Sequence, residues 1–189
     1  MKFYIATISI VLLIMGSCRS KKNYRDVEYN LNIEVDEEYR KFAKLYSEKL
    51  TPEDLKVWRK LLEENLSKDL NFTEPLVIHF YQKAPYCVMM GYDFASQKAL
   101  DHSVEFYAKI DSTYNAKSYH VFSQNVFFRD EFSKNLTFIG DNGFFHENVF
   151  TEHNICKGFF ILKPSGSFYK YYGEDYYYQI KDALLVNEK

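Results

Sequence analysis

Apolar residues recur along this chain in two periods, and the changes of period mark its elements. Leu55, Trp58, Leu61, Leu62 and Leu66 fall at helical spacing. Before them, Thr51 can cap, Pro52 suits a first helical position, and Glu53 and Asp54 meet the positive end of the dipole, which predicts a helix to about residue 67. An earlier helix is expected over residues 36–49, with Tyr39, Phe42, Ala43 and Tyr46 on one face. Residues 75–81, PLVIHFY, form a short apolar run of the kind that makes a buried strand. Beyond the loop 82–91, Leu100, Val104, Tyr107 and Ala108 mark a helix over about 95–112. Residues 118–123 read as a second strand, 125–134 as a short helix and 136–139 as an extended segment. Asp141 or Asn142 can cap a helix over about 143–152. Residues 158–163, a Pro164-Ser165-Gly166 turn and residues 167–172 make a hairpin, and a last helix runs from about 174 to 186.

Strands interleaved with helices imply a parallel sheet, and the closing hairpin makes that sheet mixed. The expected architecture is a single α/β domain over residues 70–187, behind an N-terminal helical extension at 36–69.

The first residues follow a different rule. Lys2 precedes an uncharged run from Phe3 to Met15, which is too short to span a bilayer. Gly16 and Ser17 then lead to Cys18, giving the n-region, h-region and small-residue site of a secretory signal. Gly16-Ser17-Cys18 resembles the bacterial lipobox, in which the cysteine is acylated and becomes the mature N-terminus. That resemblance implies a signal peptide at 1–17, a lipid anchor at Cys18, a polar tether over 18–35 and attachment to a membrane. Arg19, in place of an aspartate, implies the outer membrane, with the domain on its periplasmic face.

Composition narrows the function. Seventeen Tyr, seventeen Phe and one Trp among 189 residues provide ample apolar area for a core, which excludes intrinsic disorder for most of the chain. A net charge of −2 lacks the basic excess a nucleic-acid binder needs, so no nucleic-acid partner is expected. No HExxH, GxSxG, GxGxxG or GxxxxGK[ST] pattern occurs, and nothing calls for a cofactor.

The element order, LVIHFY at 76–81 and the hairpin FFILKPSGSFYKYYGE at 159–174 resemble the thioredoxin fold in its TlpA-like form, that of secreted thiol-disulfide reductases. Asp141, ahead of the helix that precedes the hairpin, is also similar. The resemblance implies a Cys-x-x-Cys pair after the first core strand, but those positions hold Pro85 and Val88 here, with only Cys87 nearby. The family's proline before the hairpin strand is replaced by Lys157 or Gly158, and its buried acid on the first strand by His79. These departures point away from a standard reductase. The resemblance also places Cys156 in the loop that the family folds against its thiols, which would bring it near Cys87. Three readings are open for the two: a structural disulfide, a redox pair, or separate inert thiols.

Three other features carry chemistry. His146-Glu147 and Glu152-His153 bracket one predicted helix with both histidines on a face, yet no further cluster supplies a third ligand, so a solvated polar face is expected rather than a metal site. His79 is expected to be a hydrogen-bonded core histidine. Tyr169, Tyr171, Tyr172, Tyr176, Tyr177 and Tyr178 crowd a strand and the helix after it, and strand alternation prevents all from facing one core, which makes them a candidate binding surface. The expected role is a non-catalytic binding or scaffold module in the cell envelope, with another envelope protein as a possible partner. The alternative is an envelope thiol-disulfide oxidoreductase using Cys87 and, with it, Cys156. For the anchor, Cys18→Ala should move the protein from the membrane to the soluble fraction; unchanged membrane association would count against acylation.

Overall fold

The computed structural model describes residues 39–66, 70–87, 96–174 and 176–186, which lie in the unit Val35–Lys189. The segments expected to be a signal peptide and a tether, with Cys18, lie outside the described residues.

The strand β2 (Leu76–Tyr81) is buried at all six positions, so the chain must cover it on both faces. Leu76, Ile78 and Phe80 face one side with Leu62, Leu66, Phe160 and Leu162. Val77 faces the other with Ile110, Phe159, Ile161 and Ile180. A strand buried on both faces reads as a continuous apolar run rather than as an alternation, which is why LVIHFY is legible.

The remaining elements are β1 (Lys44–Lys49), α1 (Pro52–Leu66), α2 (Gln97–Tyr114), β3 (Lys117–Phe122), α3 (Arg129–Lys134), β4 (Phe138–Gly140), a π-helical turn Phe145–Val149, β5 (Lys157–Leu162), β6 (Ser167–Tyr172) and α4 (Tyr177–Leu185). The sheet order is β1-β6-β5-β2-β3-β4. β2 runs parallel to β3, and β3 to β4, while β5 is antiparallel to both β2 and β6. This is a thioredoxin-like mixed sheet flanked by helices.

Local chemistry sets several boundaries. Thr51 Oγ1 accepts from the Asp54 N–H at 3.1 Å and so caps α1, as its sequence predicts. Ser96 caps α2 through the Ala99 N–H. Asp141 accepts from the N–H groups of Phe145 and His146 at 3.0 and 2.9 Å, which starts the π-helical turn. That turn is shorter than the helix expected over 143–152.

The N-terminal extension differs from its prediction. Among the described residues of the expected 36–49 helix, 39–42 are helical but residues 44–49 form the edge strand β1, exposed throughout and paired antiparallel with β6 from Lys44↔Tyr172 to Lys49↔Ser167. The open edge of β6 supplies residues 44–49 with a ladder of backbone partners that a surface helix would leave unused.

β5 approaches its neighbours closely at Gly158. A Cβ there would stand 2.6 Å from the Tyr171 carbonyl oxygen and 3.1 Å from Phe150 Cε1. Gly158→Ala should lower the unfolding free energy by at least about 2 kcal/mol in urea denaturation, because backbone cannot yield as a side chain can. A loss under about 0.5 kcal/mol would show that the strands separate more easily than this packing implies.

Candidate functional site: a disulfide and a buried polar network

The antiparallel pairing of β2 and β5 brings the end of one strand to the start of the other. Tyr81 is opposite Lys157, and the next step is a hydrogen bond from the Gln82 N–H to the Cys156 carbonyl at 2.8 Å. The Tyr86 N–H then reaches the Asn154 carbonyl at 3.1 Å. These two straps carry the loop 82–87 alongside the loop 150–156. Within them Cys87 and Cys156, 69 positions apart, form a disulfide, with a Cα–Cα separation of 5.2 Å. That separation lies within the usual range for the bond. The two ends are unequal: Cys156 is 0% exposed, while Cys87 is half-buried.

A charged pair adjoins the disulfide. The β5–β6 register, Gly158↔Tyr172, runs on through the Gly173 N–H to Lys157 carbonyl bond and sets Glu174 opposite Cys156. The Glu174 carboxylate and the two sulfurs all lie within 4.8 Å of one another. Glu174 is only 7% exposed. Burial lowers the pKa of Lys157, and the facing Glu174 charge opposes that shift. Nearby, residues 39–42 close over the same region: Phe42 stacks on Tyr86 at 5.0 Å, and the Tyr39 hydroxyl accepts from the Glu174 N–H.

A second buried polar group is the network centred on His79 of β2. Ser118 Oγ donates to Asp111 at 2.7 Å, so it accepts from His79 Nε2 at 3.1 Å, and His79 Nδ1 is then free to accept from Tyr176 Oη at 3.2 Å. His120 stacks on His79 at 4.8 Å, and Tyr81 Oη lies 3.4 Å from His120 Nδ1. Burial first, then the positive charges His120 and Lys157 would carry, hold the His79 pKa well below 6.5. Burial lowers that of His120 to about 4. His79 is thus the hydrogen-bonded core histidine its sequence context implies.

No family model, curated protein or solved structure matches the chain. Its chemistry rests on these residues alone. At the positions where thioredoxin-like reductases carry their dithiol, Pro85 is exposed, and Val88 lies outside the described residues. No cis peptide bond occurs among the described residues.

Two expectations change. The tyrosine cluster is not a surface: Tyr171, Tyr172 and Tyr176 are buried, Tyr169 and Tyr177 are partly buried, and only Tyr178 is exposed, at 66%. Alternation does turn Tyr171 and Tyr172 to opposite faces, but helices and loops cover both, so each finds a core. The two histidines also lose their shared helical face, since the π-helical turn ends before His153. They stack instead at 3.9 Å, and each Nδ1 donates to Gln82 Oε1, at 3.2 Å from His146 and 3.0 Å from His153. Gln82 and Glu174 were not singled out by sequence reasoning. Gln82 directly follows the first core strand and Glu174 comes two residues after the last, positions at the end of the sheet where the two loops meet.

The neutral histidines make stability depend on pH. An unfolded histidine charges below about 6.5, whereas His79 and His120 stay neutral in the fold until far lower pH. The unfolded state therefore binds more protons as pH falls, and stability present above pH 6.5 is lost towards pH 4, by about 3 kcal/mol from His120 alone. Urea midpoints measured across this window should fall, and His120→Gln should flatten the fall. An unchanged slope in that variant would remove His120 from the account.

Proposed function

We propose that this chain is a lipid-anchored protein of the bacterial outer membrane, facing the periplasm, whose thioredoxin-like domain uses Cys87 and Cys156 as a thiol–disulfide couple. The observation that carries the reading is the pairing of a half-buried sulfur and a buried one beside a buried carboxylate, with the partly buried Lys157 next in sequence to Cys156. Burying charge is costly, and charged groups retained beside a reactive bond mark functional sites more often than inert staples. The loops that the disulfide joins are also held by the Gln82 and Tyr86 backbone bonds, and by the Gln82 side chain donating to the Glu152 and Ile155 carbonyls at 3.1 and 2.9 Å.

The partner is another envelope protein carrying a dithiol. Its thiolate attacks Cys87 Sγ, the accessible end, and the S–S bond breaks with Cys156 leaving as a thiolate. Cys156 takes a proton, for which Lys157 and Glu174 are the adjacent ionisable groups. The partner's second thiolate then displaces Cys87 and closes the partner's disulfide. Two electrons have passed from partner to protein, which is left as a dithiol.

The second reading is a non-catalytic binding or scaffold module in which the disulfide is structural. The replacement of the family's dithiol positions and proline favours it, and closing a 69-residue separation stabilises by about 4 kcal/mol in the chain-entropy model. Equilibration in thiol buffers separates the two. An exchange-active pair should show a midpoint above about −270 mV, and a structural bond one below about −300 mV. In the chain carrying Cys18→Ser, Cys156→Ser should leave a Cys87 that reacts readily with an aromatic disulfide reagent, while Cys156 left by Cys87→Ser should react slowly. A midpoint below about −300 mV together with equal, slow thiols would sink the redox reading.

A further inference from the structure

We infer that the opened pair, together with Glu174, is a binding site for a thiophilic divalent cation of the zinc class. This inference rests on the reading that the disulfide opens. Three donors converge from three elements: Cys87 from the loop after β2, Cys156 from the residue before β5, and Glu174 from the end of β6. Their ligand atoms already lie within 4.8 Å of one another. A tetrahedral zinc ion with bonds of about 2.3 Å to sulfur and about 2.0 Å to oxygen needs its ligands about 3.5 to 3.8 Å apart. Once the S–S bond is broken, the sulfurs need only move apart and the carboxylate draw in by about an ångström, within the reach of side-chain rotation.

The donor set selects the ion. Two soft thiolates and one carboxylate suit zinc and disfavour magnesium and calcium, which need a shell of oxygens. Three protein ligands leave a fourth position, on the half-buried Cys87 side, for water or for a group of a partner. The surroundings fit as well: burial of Cys156 and Glu174 excludes competing water, and Lys157 balances a site that would otherwise carry one net negative charge. Two steps lead to the loaded state. An external dithiol supplies two electrons and two protons to the disulfide, becoming a disulfide itself. The two thiols then release two protons as the cation binds. Oxidation reverses the sequence and expels the ion, so metal and disulfide exclude each other.

The test uses the full chain carrying Cys18→Ser, in which Cys87 and Cys156 are the only cysteines. The protein is reduced with a phosphine, and free thiols are counted with an aromatic disulfide reagent before cobalt(II) is titrated in without oxygen. Two thiols and a one-to-one rise of thiolate-to-cobalt charge-transfer absorption, reversed by zinc, are expected. The oxidised protein should show no such band. Glu174→Gln should weaken cobalt binding by at least about tenfold with two thiols still open, and Glu174→Asp should retain one-to-one binding. Two open thiols without the band would overturn the site, as would an affinity unchanged in Glu174→Gln. The phosphine opens the pair whatever its potential, so failure here is distinct from a structural-range midpoint in thiol buffers, which would overturn the redox reading instead.

Discussion

The antiparallel pairing of β5 between β2 and β6 is the constraint on which the chemistry of this protein depends. It fixes one end of the sheet as the place where the chain leaves β2, enters β5 and leaves β6. Cys87, Cys156 and Glu174 belong to those three transitions. None of the three is near another in sequence, and each sits within a few residues of a ladder that holds it in register. A one-residue slip of β5 would turn Cys156 to the other face of the sheet and move Glu174 off it. The small clearance at Gly158, two residues on, shows how closely that register is packed.

Burial on both faces has a second consequence. Because α1 and the π-helical turn cover one face and α2 with α4 the other, the inward positions of β2 and β3 include polar groups that must find partners inside the protein. His79 and His120 do so through Ser118, Tyr176 and Tyr81, and the price is a fold that weakens as acid charges its histidines. The same covering turned an aromatic-rich hairpin and helix into core. Tyrosine suits this role because its ring fills volume while its hydroxyl can close a hydrogen-bond chain, as Tyr176 does against His79.

Much of the fold was legible because its signals are local. The apolar run of β2, the Pro164-Ser165-Gly166 hairpin, the Thr51 cap and the Asp141 cap each depend on residues a few positions apart. The strand β1 was not legible, because its conformation comes from the free edge of β6, more than a hundred positions away in sequence. Of its six residues only Tyr46 favours a strand, and a stripe beginning at Tyr39 matches a helix equally well. The site divides in the same way. The resemblance in element order pointed to Cys87 and Cys156 as neighbours, whereas Gln82 and Glu174 look like ordinary polar residues flanking strands.

What the sequence determined by itself was the class of the chain: enough apolar area for a core, and an α/β order with a closing hairpin. What the tertiary structure decided was which side of each strand meets solvent and which loop ends coincide. Composition and spacing report the first kind of property because they are sums over near neighbours. The second depends on strand register between distant segments, where a change of one position alters every contact, and no local pattern carries that information.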